Sequence, residues 1–254
     1  MRAPEAVIAL LLFAASVVAP AARSPVQVYP SGPTVPENLL RIELRFSTPL
    51  RPPLSIEHVK LTNVDGVEIS GAFLDLLLPS RDGKRVTILM HPGRVKSGVG
   101  ANLNLGRALR AGDTVVLVIN HPALAKSIRK AWQVTAFDAE SPQPANWTFK
   151  LPRRGSRIPI LLRLDAPISS SAEGLIAIRG PDGRRLAGDA LLESGETVWR
   201  FVPARPWLAG SYAVVTHPDL EDSAGNRPSA PFEVSDASQV RREEGTVQPF
   251  ELFK

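Results

Sequence analysis

The sequence predicts an all-β chain built as two tandem β-sandwich domains behind a cleaved leader. Three observations predict it. Short runs of alternating apolar and polar residues recur along the chain. Prolines number 24 among 254 residues, nearly twice the usual ~5%. A series of short motifs also appears twice in the same order. Proline is incompatible with helix interiors and central strands, and here the prolines fall between the apolar runs, where turns belong.

The leader comes first. Met1-Arg2 supplies a positive start, Ala6 to Val18 an apolar run of 13 residues, and Ala19-Pro20-Ala21 a break of small residues. That order is the layout of a secretory signal, and the run is shorter than the about 20 residues a bilayer needs. Residues 1–21 are expected to be removed, leaving 254 − 21 = 233 residues. The mature chain should then be exported, periplasmic or extracellular, with no membrane span. No cysteine is present, so the fold must stand without disulfides, which domains of about 100 residues can do.

The strands follow. Leu40 to Phe46, Val59 to Leu61, Arg85 to Leu89 and Thr114 to Ile119 in the first half alternate or run apolar, as do Ile160 to Leu164, Leu175 to Ile178, Thr197 to Phe201 and Tyr212 to Val215 in the second. Alternation puts one set of side chains on each face of a strand. Asn63-Val64-Asp65-Gly66, Arg81-Asp82-Gly83 and Ala111-Gly112-Asp113 supply the turn chemistry between them. About seven strands per half at this spacing indicate sandwiches.

The halves are copies. Leu44 to Leu50 matches Leu162 to Ile168, and Asn63 to Gly66 matches Gly180 to Gly183. Met90-His91-Pro92 matches Phe201-Val202-Pro203, Leu109 to Gly112 matches Trp207 to Gly210, and Asn120 to Leu124 matches Thr216 to Leu220. Five matches in one order mark a repeat. The first sandwich is placed at 24–138, a Pro-rich linker at 139–144, the second sandwich at 145–236 and a C-terminal tail at 237–254. The charged part of the tail should be solvated, and its apolar finish either adds an edge strand or frays.

Phe46-Ser47-Thr48-Pro49-Leu50 after an apolar strand, with Asp222-Ser223-Ala224-Gly225-Asn226 late in the second copy, resembles the bacterial Ig-like domain of surface-layer proteins. The second copy departs at the first motif, reading Leu164 to Ile168, and the first copy has Ala125-Lys126-Ser127 where the second motif would stand. Pro36 to Arg41 also looks like the opening of exported bacterial proteins with the same paired layout. The resemblance spans about Val26 to Asp236 and implies two tandem Ig-like sandwiches and an envelope setting, not an activity.

The chemistry-bearing residues point the same way. The net charge of +5 is spread out, with no basic run longer than Arg153-Arg154, Arg184-Arg185 or Arg241-Arg242, so the clustered basic face of a nucleic-acid binder is missing. His91, His121 and His217 each precede proline, and two of them are equivalent in the repeat, which suits a shared turn better than a catalytic base. Zinc-ligand spacing is absent. Asp219, Glu221, Asp222 and Asn226 offer oxygens but not the calcium-loop rhythm. Asp75, Asp82 and Glu193 read as solvated acids, and Trp132, Trp147, Trp199 and Trp207 as core. No cofactor and no metal is expected.

One difference between the copies marks a candidate site. Pro92 to Gly112 is about 13 residues longer than its counterpart, Pro203 to Gly210, and long loops on rigid scaffolds tend to carry function. Its bases Arg94, Lys96, Arg107 and Arg110 suit an anionic partner, and a loop that merely covers an inter-domain face is the competing reading. The expected function is a non-catalytic exported module of the cell envelope that binds a protein or glycan. The alternatives are an envelope-polymer hydrolase and a purely structural spacer.

Overall fold

A computed structural model describes residues 26–95, 105–228 and 245–253. In the first half the alternating runs become β1 (Val26–Tyr29), β2 (Thr34–Pro36), β3 (Arg41–Phe46), β4 (Val59–Asn63), β5 (Phe73–Pro79), β6 (Arg85–Met90), β7 (Thr114–Ile119) and β8 (Ile128–Thr135). They form two four-stranded sheets, ordered β1-β3-β6-β5 and β2-β8-β7-β4. The first strand position is thus split: β1 pairs antiparallel with β3, and β2 crosses to the other sheet and pairs parallel with β8. Ile42, Leu44 and Phe46 of β3 point inward against Leu117, Ile119 and Trp132 of the facing sheet in one core.

The second half gives β9 (Thr148–Lys150), β10 (Ile160–Arg163), β11 (Ile176–Arg179), β12 (Gly188–Glu193), β13 (Val198–Pro203), β14 (Gly210–Thr216) and β15 (Val247–Leu252). Their sheets run β12-β13-β10-β9 and β11-β14-β15. First, second, fifth and fourth strands on one sheet, with third, sixth and seventh on the other, is the constant-type immunoglobulin partition. The first module has the same partition with its first strand shared between the sheets. Both modules are immunoglobulin-like β-sandwiches, and the chain is all-β.

The second core is aromatic. Trp199 stacks on Phe201 with centroids 5.6 Å apart, and Trp207 meets Tyr212 edge-on at 5.5 Å. Tyr212, near the start of β14, donates its hydroxyl to the Leu208 carbonyl at 3.1 Å and accepts from the Leu208 N–H at 3.0 Å. This is the tyrosine corner of immunoglobulin folds. The positions where an inter-sheet disulfide would sit are plain hydrophobes, Leu162 and Val214, both buried.

At the C-terminus, where the sequence leaves an edge strand and a frayed end open, the structure has the edge strand. Of the expected tail, 237–254, six residues form β15, paired with β14 from Gly210↔Leu252 to Val215↔Val247. The reason is apolar alternation. Phe250 and Leu252 point inward and are buried, with Phe250 stacked on Tyr212 at 5.4 Å. Pro249 is tolerated because β15 is an edge strand. The leader, residues 1–21, lies outside the described residues.

Candidate functional site

The long loop does not present its bases as a set. Its first turn, helix α1 (Pro92–Val95), buries Arg94 to 6% exposure. The Arg94 guanidinium donates to the carbonyls of Gly106 at 2.7 Å, of Ser70, and of Arg107 at 3.5 Å. Arg94 therefore pins the two ends of the loop together, and burial lowers its pKa. Assigning it to an anionic partner is thus corrected by the structure: the guanidinium is itself buried and its donors are spent on backbone carbonyls. Arg107 is likewise engaged, donating to the Val95 carbonyl at 3.1 Å, pairing with Glu37 at 3.5 Å and lying over the Phe137 ring at 5.2 Å. Arg110 is exposed. Lys96 lies outside the described residues.

The groups that do converge lie where the two sandwiches meet. On the first module they come from the outer face of β3 and the kink between β1 and β2; on the second, from the turns that follow β10, β12 and β14. Arg45 is the hub. It donates to Glu43 at 2.6 Å, to Glu173 at 3.1 Å and to the Ser170 carbonyl at 2.8 Å, and lies 4.6 Å from the centroid of the Tyr29 ring. Glu43 points away from its own core yet is only 5% exposed, because the second module covers that face. Arg41 pairs with Glu221, and the Leu40 N–H donates to the Ser223 carbonyl at 3.0 Å.

A second anchor is Glu196, 2% exposed. Its carboxylate accepts from the Ser31 N–H at 2.9 Å and the Ser31 hydroxyl at 2.5 Å. The turn that delivers it is strained: Ser194, Gly195 and Glu196 have φ of 55°, 66° and 61°, a left-handed run that only glycine adopts freely. Gly195 also lies against Gly32, where an added Cβ would stand 3.2 Å from the Gly32 Cα. Backbone meets backbone there, and a side chain on Gly195 would push the modules apart.

The Asp222 to Asn226 motif forms the third anchor. Asp222 accepts from the N–H groups of Ala224 at 2.8 Å and Asn226 at 2.9 Å and from the Asn226 amide at 2.9 Å. That amide also donates to the Asp138 carbonyl at 3.1 Å, which accepts from Asn38 at 2.8 Å. The motif thus shapes a turn and ties it to the end of the first module, and Asp222's oxygens are committed to these donors rather than held open for a cation.

Burial pushes the Asp222 carboxyl up to about 6, with the Asp138 charge adding to it and the Asn226 and Ala224 bonds opposing. Burial also raises Glu196 against its Ser31 bonds, and raises Asp138. Raised carboxyl pKa values mean the folded state takes up protons. For Asp222 the linked stability is fully present below about 3.9, the unfolded value, and is lost as pH rises through about 6. The expected result is a melting temperature that falls between about pH 4 and pH 7, with a total loss of up to about 3 kcal/mol of stability across that window, and a flatter profile in Asp222→Asn. Calorimetric melts across that range check it, and a midpoint that rises with pH there contradicts it.

The histidines serve turns. The Nδ1 atoms of His91, His121 and His217 each accept an N–H two residues on, from Gly93, Ala123 and Asp219, all at 3.1 Å. Among the described residues no group of three or more His, Asp or Glu is arranged to hold a metal ion, and no helix is long and apolar enough to cross a membrane.

No family model and no curated protein matches the chain. Among solved structures it is similar to titin Ig tandem domains, at 11% identity over 84% of this chain and 86% of that one, with a TM-score of 0.26. It is also similar to the tandem Ig repeats of Dlar, at 12% identity over 80% and 84% with a TM-score of 0.24. The S-layer protein rSbsC matches at 11% identity over 69% of this chain and 21% of that one, with a TM-score of 0.26. What makes both modules immunoglobulin-like is their own strand order. Fold and junction together define a two-module immunoglobulin-like protein.

Proposed function

We propose that the chain is an exported, non-catalytic module protein of the bacterial cell envelope, which holds two sandwiches at a fixed angle and presents their loops and edges to a protein or glycan partner. The observation that carries this reading is the junction: Glu43, Glu196, Asp222 and Asn226 are all 5% exposed or less. Modules joined by a flexible tether do not bury charge between them, because an uncompensated buried charge is costly. Several acids and bases of the chain are engaged in holding shape. Asp82, for example, caps its turn through Ser80 and the Lys84 N–H. The leader layout at residues 1–21 and the surface-layer-type motifs support the export and envelope parts.

Expression in a bacterial host tests export. The secreted species should have lost residues up to about Ala21 by intact mass, and a full-length periplasmic species overturns that part. Small-angle scattering of the same material should fit one arrangement of the modules. A broad distribution of inter-module distances would remove the fixed presentation.

A further inference from the structure

A groove of ≈ 590 Å³ lies on the first sandwich, away from the junction, between β5 and the segment that leads out of β3. Its floor is apolar. Phe46 and Val86 belong to the core, and Leu50, Leu54 and Leu77 pack against it while still reaching the groove. One wall is β5, an edge strand whose pairing with β6 slips between Phe73 and Leu77. Leu76 and Leu78 remain 45% and 47% exposed there. Edge strands are normally blunted by charge, proline, a bulge or cover; β5 carries Asp75, Pro79 and this slip, and still keeps exposed leucines beside an apolar trough.

The cations of the groove lie together at one end, where Asp82, which also lines it, is held by the Ser80 hydroxyl and the Lys84 N–H. Arg51 and Arg81 line it, are exposed, and have no intramolecular partner among the described residues. The β5–β6 turn that carries Arg81 meets the loop that carries Arg51 at one end, since a Cβ on Gly83 would stand 3.2 Å from the Pro49 Cβ. Asp75, also exposed and unpartnered, lies back along β5, about 13 Å from Pro79 at ~3.3 Å per residue. An apolar trough with two free cations at one end and a free carboxylate towards the other has a direction.

We propose that this groove binds an extended peptide segment, added as a further strand along β5, with apolar side chains at alternate positions, an acidic group at the Arg51 and Arg81 end and a basic group at the Asp75 end. Strand addition supplies the two things the site lacks. Backbone groups pair with the open edge of β5, and every second side chain enters the trough. A hydrocarbon chain would fill the trough but leave the edge unpaired. The proposal rests on the reading of the chain as a binding module, but its test depends neither on export nor on a rigid junction.

The test uses the purified chain and a fluorescently labelled peptide of alternating leucine and threonine, glutamate at one end and lysine at the other, titrated by anisotropy. Its sequence reversal is run beside it, so that either strand direction is covered. The expected result is saturable binding by one of the two. Binding should weaken about tenfold or more in Arg51→Glu/Arg81→Glu, partly return when the peptide's end charges are exchanged, and disappear in Leu76→Lys. Because these side chains are exposed, the variants should keep the parent circular dichroism. A peptide N-methylated at alternate amides needs no variant and should lose binding. Failure of both peptides to bind overturns the proposal, as does undiminished binding of the N-methylated form. Dodecanoate binding in the groove where the peptides fail would assign it to an amphiphile and overturn it equally.

Discussion

Arg45→Ala is expected to cost about 3–5 kcal/mol, the usual penalty for removing one partner of a buried ion pair, and to release the two sandwiches from each other. The side chain serves Glu43, Glu173 and the Ser170 carbonyl at once. Its loss strands Glu43, which is 5% exposed on a face that only the second module covers. The cheapest response is to let water in by undocking. Calorimetry should then show a single transition splitting into two, and scattering should show a larger radius of gyration. Arg45→Ala/Glu43→Gln should recover part of the loss, since less uncompensated charge is buried. A single transition at the parent temperature would mean that Arg45 does not hold the junction.

The second large effect is in the core of the second sandwich. Trp199 is fully buried, stacks on Phe201 with an interplanar angle of 7°, and donates its Nε1–H to the Glu173 carbonyl at 3.1 Å. Trp199→Ala removes the ring, opens a cavity between the sheets and orphans that carbonyl, for about 3–5 kcal/mol. The second sandwich should leave the parent's single transition and melt roughly 10–20 °C below it, with the first melting separately. Because the Glu173 side chain reaches Arg45, some loosening of the junction should accompany the loss. Loss of both transitions together would show that the modules do not fold separately.

What the sequence displayed depended on where each strand lies. Six of its eight expected runs fall on β3, β6, β7, β10, β13 and β14, strands paired on both sides whose inward residues are apolar at alternate positions. Of the edges, β4 and β11 were read, β15 only as one of two alternatives, and β1, β2, β5, β9 and β12 not at all, because an edge need be apolar on one side only. β8 escaped for another reason: Ile128, Lys130, Trp132 and Val134 share one face, and the lysine hides the alternation. At the junction, Glu43 and Glu196 carry no signal in the sequence, since nothing local distinguishes a face covered by another module from one covered by water. The Asp222 to Asn226 turn was legible as a turn, but its tie to Asp138 joins residues 88 positions apart. The loop bases misled in the opposite way. A long insertion needs an internal fastener, and Arg94 supplies it.

The late position of β15 also sets an order of assembly. The first sandwich has all its strands once Thr135 has been made, whereas β14 ends at Thr216 and must wait until Val247 for the partner of its open side. Over that interval Tyr212 and Trp207 lack Phe250, and the β11–β14 pair shows water a bare apolar edge. Closing so long a connection adds to the entropy cost of the last pairing. A chain threaded outward from its N-terminus would therefore emerge with one finished module and one unsealed one, and the second is where a chaperone or a protease would find its chance.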